Sequence, residues 1–262
     1  MGIKTNYHTH HELCKHADGD AEAYIQKAIE LGFDFLGFTD HVPSRVFNDR
    51  ARMDEEDFAT YLKDLEHNFQ RFKGHIKLLS GLEAEYNPKD PGEPERWLRE
   101  VDYLILGQHY TSRYPTKSGE HYTFDLRKGK SLITYAHTVR EAIQTNCFSI
   151  VAHPDIFLGS YPSFDRYAAN ASEIIIDAAV EHNVALEFNA NGIRRGKRKS
   201  QDGLHYAYPR EPFFRMAQAK GASIVLNSDA HDPDQLYDDA MRKAEQLIED
   251  WNLKITQYPE LK

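Results

Sequence analysis

The stretch NYHTHHELCKHADGD carries four histidines, His8, His10, His11 and His16. Side chains two apart on a strand point to the same side. His8 and His10 can therefore grip one ion while Thr9 faces away. His11 is out of phase and is not expected to ligate; His16 lies in the following loop, from which it can fold back. Asp229 and His231 repeat the same spacing in SDAH. Six of seven expected strands end in such groups: His8 and His10; Asp40 and His41; Glu83 and Glu85; His109; His153 and Asp155; Asp229 and His231. The remaining strand ends in Asn189 and Asn191. A lone HxH or strand-end histidine is usually structural. Coincidence at six strand ends instead points to a site for several metal ions, and neutral imidazole with carboxylate suits zinc, iron or manganese.

The elements that must position these groups alternate along the chain. Short apolar runs such as FDFLGFTDH, VDYLILGQH, VALEFNAN and ASIVLNSDAH read as strands. Between them lie helical patterns such as AEAYIQKAIELG and DQLYDDAMRKAEQLIEDWN. The alternation predicts parallel strands with helical crossovers, as a seven-unit barrel or, second, an open doubly wound sheet. In either, the C-terminal strand ends converge on the site. No boundary divides residues 1–262, so one domain is expected. Two long loops, 42–53 and 110–130, are expected lids or binding loops.

Composition excludes several classes. The net charge of −9 disfavours a nucleic-acid partner and would repel an anionic substrate unless cations are bound locally, whereas the single-domain organisation favours a small-molecule partner. No apolar run approaches the roughly 20 residues of a membrane helix, and no signal region is evident. Two cysteines without a CxxC pair predict a reduced, cytoplasmic protein.

The motifs HTH at 8–10, HA at 16–17, FTDH at 38–41, GLEAEY at 81–86, GQHY at 107–110, AHPD at 152–155, NANGIRR at 189–195 and SDAH at 228–231 run in order over nearly the whole chain. With them the sequence resembles the polymerase and histidinol phosphatase (PHP) family, and within it the bacterial histidinol-phosphate phosphatases. The resemblance implies a distorted TIM-like (β/α)7 barrel with three divalent metal ions (zinc, iron or manganese) at the strand ends. Carried over by position, His8, His10, Glu83 and Asp229 would hold the first ion. Glu83 would bridge to a second, held with His109 and His153, while His16, His41 and His231 would hold the third. In one respect the chain departs from its relatives: they tend to carry Lys or Arg soon after the HPD-like motif, and here none precedes Arg166.

The implied reaction is hydrolysis of the phosphomonoester L-histidinol phosphate, in histidine biosynthesis, by a metal-bridging hydroxide attacking phosphorus. Asp229 would ligate and orient the nucleophile. A water held near His41 and His231 would protonate the leaving alkoxide. Arg194 is expected to contact phosphate through its forked guanidinium. The basic run Arg194, Arg195, Lys197, Arg198 and Lys199 is expected to be a solvated loop. Asp40 and Glu85 are expected behind ligand histidines, and Asp18 behind His16. His121 and His205 lie in loops that could touch substrate, and Tyr110, Phe157 and Tyr161 could stack on an imidazole. Three alternatives remain. One is the same site acting on another phosphomonoester, nucleotide or phosphodiester. The second is a carbon–nitrogen hydrolase, disfavoured because no strand ends in Lys. The third is a non-catalytic metal protein, disfavoured because the ligand set holds no Cys.

Overall fold

The computed structural model describes residues 2–43, 52–111 and 122–262. Most of the 42–53 loop, part of the 110–130 loop and His121 lie outside them. The strands are β1 (Thr5–Asn6), β2 (Phe35–Phe38), β3 (Lys77–Ala84), β4 (Tyr103–Leu106), β5 (Ile150–Val151), β6 (Ala185–Asn189), β7 (Lys197–Ser200), β8 (Gly203–Tyr206) and β9 (Ile224–Asn227). The helices are α1 (Ala21–Glu30), α2 (Glu55–Arg71), α3 (Glu93–Leu98), α4 (Gly129–Gln144), α5 (Arg166–Glu181), α6 (Asn191–Arg194), α7 (Glu211–Ala219) and α8 (Asp239–Asp250).

Seven strands form one parallel sheet in the order β1-β2-β3-β4-β5-β6-β9. The sheet curls until its edges nearly meet, where Thr9 bridges Ala230 and His10 N donates to Ala230 O at 2.9 Å. Side chains complete the seam: Tyr7 N donates to Asn227 Oδ1 and Ser228 N to Asn6 Oδ1. The lower half of β3 pairs with β2 and its upper half with β4. Such stagger is what barrel closure requires. This is the (β/α)7 barrel expected, with shorter first and fifth strands than the sequence suggests.

Apart from the first half of β3, the strands of this sheet are buried on both faces, as parallel strands under helices must be. Alternation divides them. Leu104 and Leu106 pack outward with the helices, whereas Tyr103 and Ile105 join Phe35, Ile150, Ala185 and Val225 inside the barrel. Acidic residues start several helices: Asp20, Asp165 and Asp238 each accept a backbone N–H in the first turn of α1, α5 and α8. The basic run differs from the expected loop. It begins in α6 and continues as the exposed antiparallel hairpin β7–β8.

Candidate metal centre

Above the apolar interior, the same inward positions turn polar. Glu83 lies two residues beyond Gly81 on β3, and Glu187 two beyond Ala185 on β6. Gly107 follows β4 because Glu83 needs the space: a Cβ there would stand 2.0 Å from Glu83 Oε1. His153 and Asp229 follow β5 and β9 with left-handed φ values of 31° and 48°. Such backbone costs on the order of 1–3 kcal/mol per residue and persists only where surroundings enforce it. Glu187 Oε2 fixes the first by accepting from His153 N at 2.7 Å. The amides of Asn189 and Asn191 donate to Asp229 Oδ2 at 3.0 and 3.1 Å, leaving Oδ1 to the mouth.

Four ligand atoms converge. His8 Nε2 and His10 Nε2 are 3.0 Å apart. Each is 3.4–3.5 Å from Glu83 Oε2 and from Asp229 Oδ1. A tetrahedron with metal–ligand bonds of about 2.0–2.1 Å has edges of about 3.3–3.4 Å. The five distances lie near such edges, and His8, His10 and Asp229 form one compact set able to hold a divalent cation, with Glu83 beside it. The other oxygen of Glu83 faces a second set, with Oε1 3.1 Å from His153 Nε2 and 3.6 Å from His109 Nε2. Glu83 thus spans both.

His16 does fold back. Lys15 takes a left-handed φ of 63°, and His16 Nε2 meets His231 Nε2 at 2.9 Å. His41 is placed differently from the expected third set. Its ring stacks 5.5 Å from that of His16, but its Nδ1 lies 3.0 Å from Glu83 Oε2, and it groups with His10 and Glu83. His41 therefore stands between the first set and the His16–His231 pair.

The electrostatics favour ligand protonation states at Glu83, Asp229, His41 and His231 but not at His8 or His109. Burial raises Glu83, but His41, His109, His8 and His153 outweigh it and hold the carboxyl well below its ordinary value. Asp229 is held down likewise, against burial, chiefly by His8 and His10. Burial drives His41 well below the imidazole value and, with His10, takes His231 to about 3. His8 goes the other way: burial lowers it, but Glu187, Asp229 and Glu83 together raise it well above its usual value. A cation entering the first set displaces that proton.

The outer contacts correct several expectations. Arg194 does not face the cavity. Its guanidinium binds Asp238 and the carbonyls of Ser228 and Gln235, while Arg195 lines the mouth instead. Asp40 backs His11 directly, Oδ1 accepting from both His11 N and Nδ1 at 3.1 and 3.0 Å, and lies within 4.8 Å of Cys14 Sγ and a ring nitrogen of His10. Asp18 acts through its backbone, N donating to His231 O, and His16 Nδ1 instead meets Cys14 O. Glu85 stands as expected, 3.4 Å from His109 Nδ1, and also pairs with Arg52. Asp155 turns away to accept from Arg210 N, burial raising it to about 7. Phe157 and Tyr161 are core residues, and His205 is held by Ser200 and the Tyr206 carbonyl on the outer hairpin. Sequence reasoning missed Glu187, whose Oε1 lies 2.8 Å from His8 Nδ1. It also missed Arg52, Arg195, Tyr122 and Tyr208, which line a mouth cavity of about 380 Å³ with Tyr110.

The PHP domain model matches residues 6–191. A protein named "Probable histidinol-phosphatase" in Deinococcus radiodurans is 30% identical over 238 residues, spanning 87% of this chain and 86% of that protein. One of the same name in Schizosaccharomyces pombe is 24% identical over 260 residues, 90% of this chain and 82% of the other. A histidinol phosphate phosphatase from Lactococcus lactis, solved with zinc, L-histidinol and phosphate, superposes with a TM-score of 0.69 at 17% identity, covering 97% and 96% of the two chains. At that identity the superposition speaks for the fold alone.

Proposed function

The chain belongs to the PHP domain family, and we propose that it is a metal-dependent phosphomonoesterase hydrolysing L-histidinol phosphate to L-histidinol and phosphate, with residues 1–262 as one cytoplasmic phosphoesterase domain. The observation that carries this reading is the approach of His8 and His10 to each other and to Glu83 and Asp229 at 3.0–3.5 Å, with Glu83 shared toward His109 and His153. His16 and His231, with His41 beside them, would hold a third cation. Divalent ions bound there would acidify a water as nucleophile and offset charge on the phosphoryl oxygens. The free thiols of Cys14 and Cys147 accord with a reducing compartment.

The chain's own residues have separate tasks. Asn189 and Asn191 hold Asp229 by Oδ2, so that Oδ1 would be free for a cation and for orienting the nucleophile. Arg195 is placed to take phosphate oxygens, the role expected of Arg194. His231, held to about 3, is neutral near pH 7 and cannot itself protonate the leaving alkoxide. With His41 it orients the water that does. Tyr110, Tyr122 and Tyr208 give the cavity flat apolar faces for a small ring-bearing substrate. No lysine lines this cavity among the described residues, which agrees poorly with a carboxylated-lysine hydrolase.

The test is direct. Purified protein is stripped with a chelator, reloaded with zinc, iron or manganese, and assayed for phosphate release from L-histidinol phosphate beside a phosphodiester. Metal-restored turnover of the monoester is expected. Turnover of the diester alone would overturn the substrate assignment.

A further inference from the structure

Behind the first ligand pair lies a buried thiol that the reaction does not use. Cys14 ends the 3-10 turn Glu12–Cys14 and is fully buried. Its Sγ lies 3.2 Å from His10 Nδ1, the ring nitrogen opposite the one facing His8, Glu83 and Asp229. The Asp40 carboxylate, Cys14 Sγ and a ring nitrogen of His10 all lie within 4.8 Å of one another. Asp40 Oδ1 is engaged by His11, whereas Oδ2 has no hydrogen-bond partner among the described residues. The Cys14 carbonyl also meets His16 Nδ1 at 2.9 Å.

A neutral imidazole carries one N–H, and the partner of the outer nitrogen decides which nitrogen is left to ligate. The Cys14 S–H can turn toward the nearby Asp40 carboxylate, leaving the sulfur lone pair to receive His10 Nδ1–H. We propose that Cys14 is a positioning residue for the metal site, fixing the tautomer and pitch of His10 so that Nε2 presents its lone pair to the cation shared with His8. The inference rests on His10 being a metal ligand. Carboxylates and carbonyls usually stand behind ligand histidines; here a thiol relays the carboxylate. One residue thereby serves two ligands, its side chain holding His10 and its backbone holding His16.

Packing and positioning predict opposite rankings of two substitutions. Cys14→Ser keeps a donor and an acceptor; Cys14→Val fills the space without either. Zinc affinity by chelator competition and His10 tautomer by long-range proton–nitrogen spectra are read on both. The melting temperature of the metal-stripped forms is the folding control, and Cys14→Ala substitutes for Cys14→Val if the latter does not fold. Serine should bind zinc within about threefold of wild type, and valine should lose about 10–100-fold with the His10 Nδ1–H signal gone. The loss should fall on one bound ion, because the carbonyl contact to His16 survives both changes. Valine with wild-type affinity and an unchanged tautomer would overturn the proposal, as would equal losses in serine and valine. A wild type that takes up no zinc would overturn the metal-site reading and this inference with it.

Discussion

The barrel interior has two storeys built from the same strands. The lower one is apolar, with Tyr103, Ile105, Ile150, Ala185 and Val225 in contact. Tyr103 fills its centre so closely that a Cβ on Gly37 would meet the phenol oxygen at 2.0 Å. The upper storey, two residues further along, holds Glu83, Glu187 and Asn227, with His8, His10 and Asp229 above the strand ends. Both are buried, yet their physics differ. Burying the lower side chains stabilises the fold, each by about 1.5–3 kcal/mol. Burying the upper charges opposes it unless they are paired, hydrogen-bonded or bound to metal. The floor makes the barrel stable, and that stability holds the mouth in its strained, cation-ready form.

The contrast can be broken from either side. Glu83→Gln should have the largest effect, because its two oxygens serve two ligand sets. Turnover should drop at least about 10³-fold, beyond the 10–100-fold typical of a group behind a ligand. Metal content by elemental analysis should fall with it, while the stripped protein still folds. Ile105→Ala attacks the floor and should do the reverse. Chemical denaturation should show about 2–5 kcal/mol less stability, with turnover per folded molecule unchanged. Glu187→Gln sits at the boundary: it leaves His8 as a ligand but weakens its support. Zinc affinity by competition titration should fall about 10–100-fold. The smallest effect separates neighbouring arginines. Arg195→Ala should raise KM about tenfold or more, as loss of a charged hydrogen bond of about 1.5–3 kcal/mol implies. Arg194→Ala should leave KM alone and lower the melting temperature, because it ties α6 to Asp238.

The legible parts of this site are those fixed by strand parity. His8 and His10 share a side because both follow β1, and His11 is out of phase with them. Asp40 is out of phase with His41 in the same way, so the two out-of-phase residues of adjacent strands find each other. Asp40 therefore meets His11 directly and comes near a ligand only at Cys14 and His10. Arg194 and Arg195 could not be told apart in sequence, because they sit at the end of a short helix where consecutive side chains diverge by about 100°. Glu187 had a signal that spacing arguments overlook: an acid inside the apolar strand ALEFN must have a partner when buried. The β7–β8 hairpin had none, since KRKS and GLHY show no alternation of buried and exposed positions.

The central claim is that the barrel mouth binds cations at defined groups of side chains. Anomalous diffraction at the zinc edge from crystals of the zinc-loaded protein tests it most directly. The account predicts one peak among His8, His10, Glu83 and Asp229, a second among Glu83, His109 and His153, and a third at His16 and His231. Fully loaded crystals with no peak at the His8–His10 pair, or with zinc only on surface groups, would contradict it.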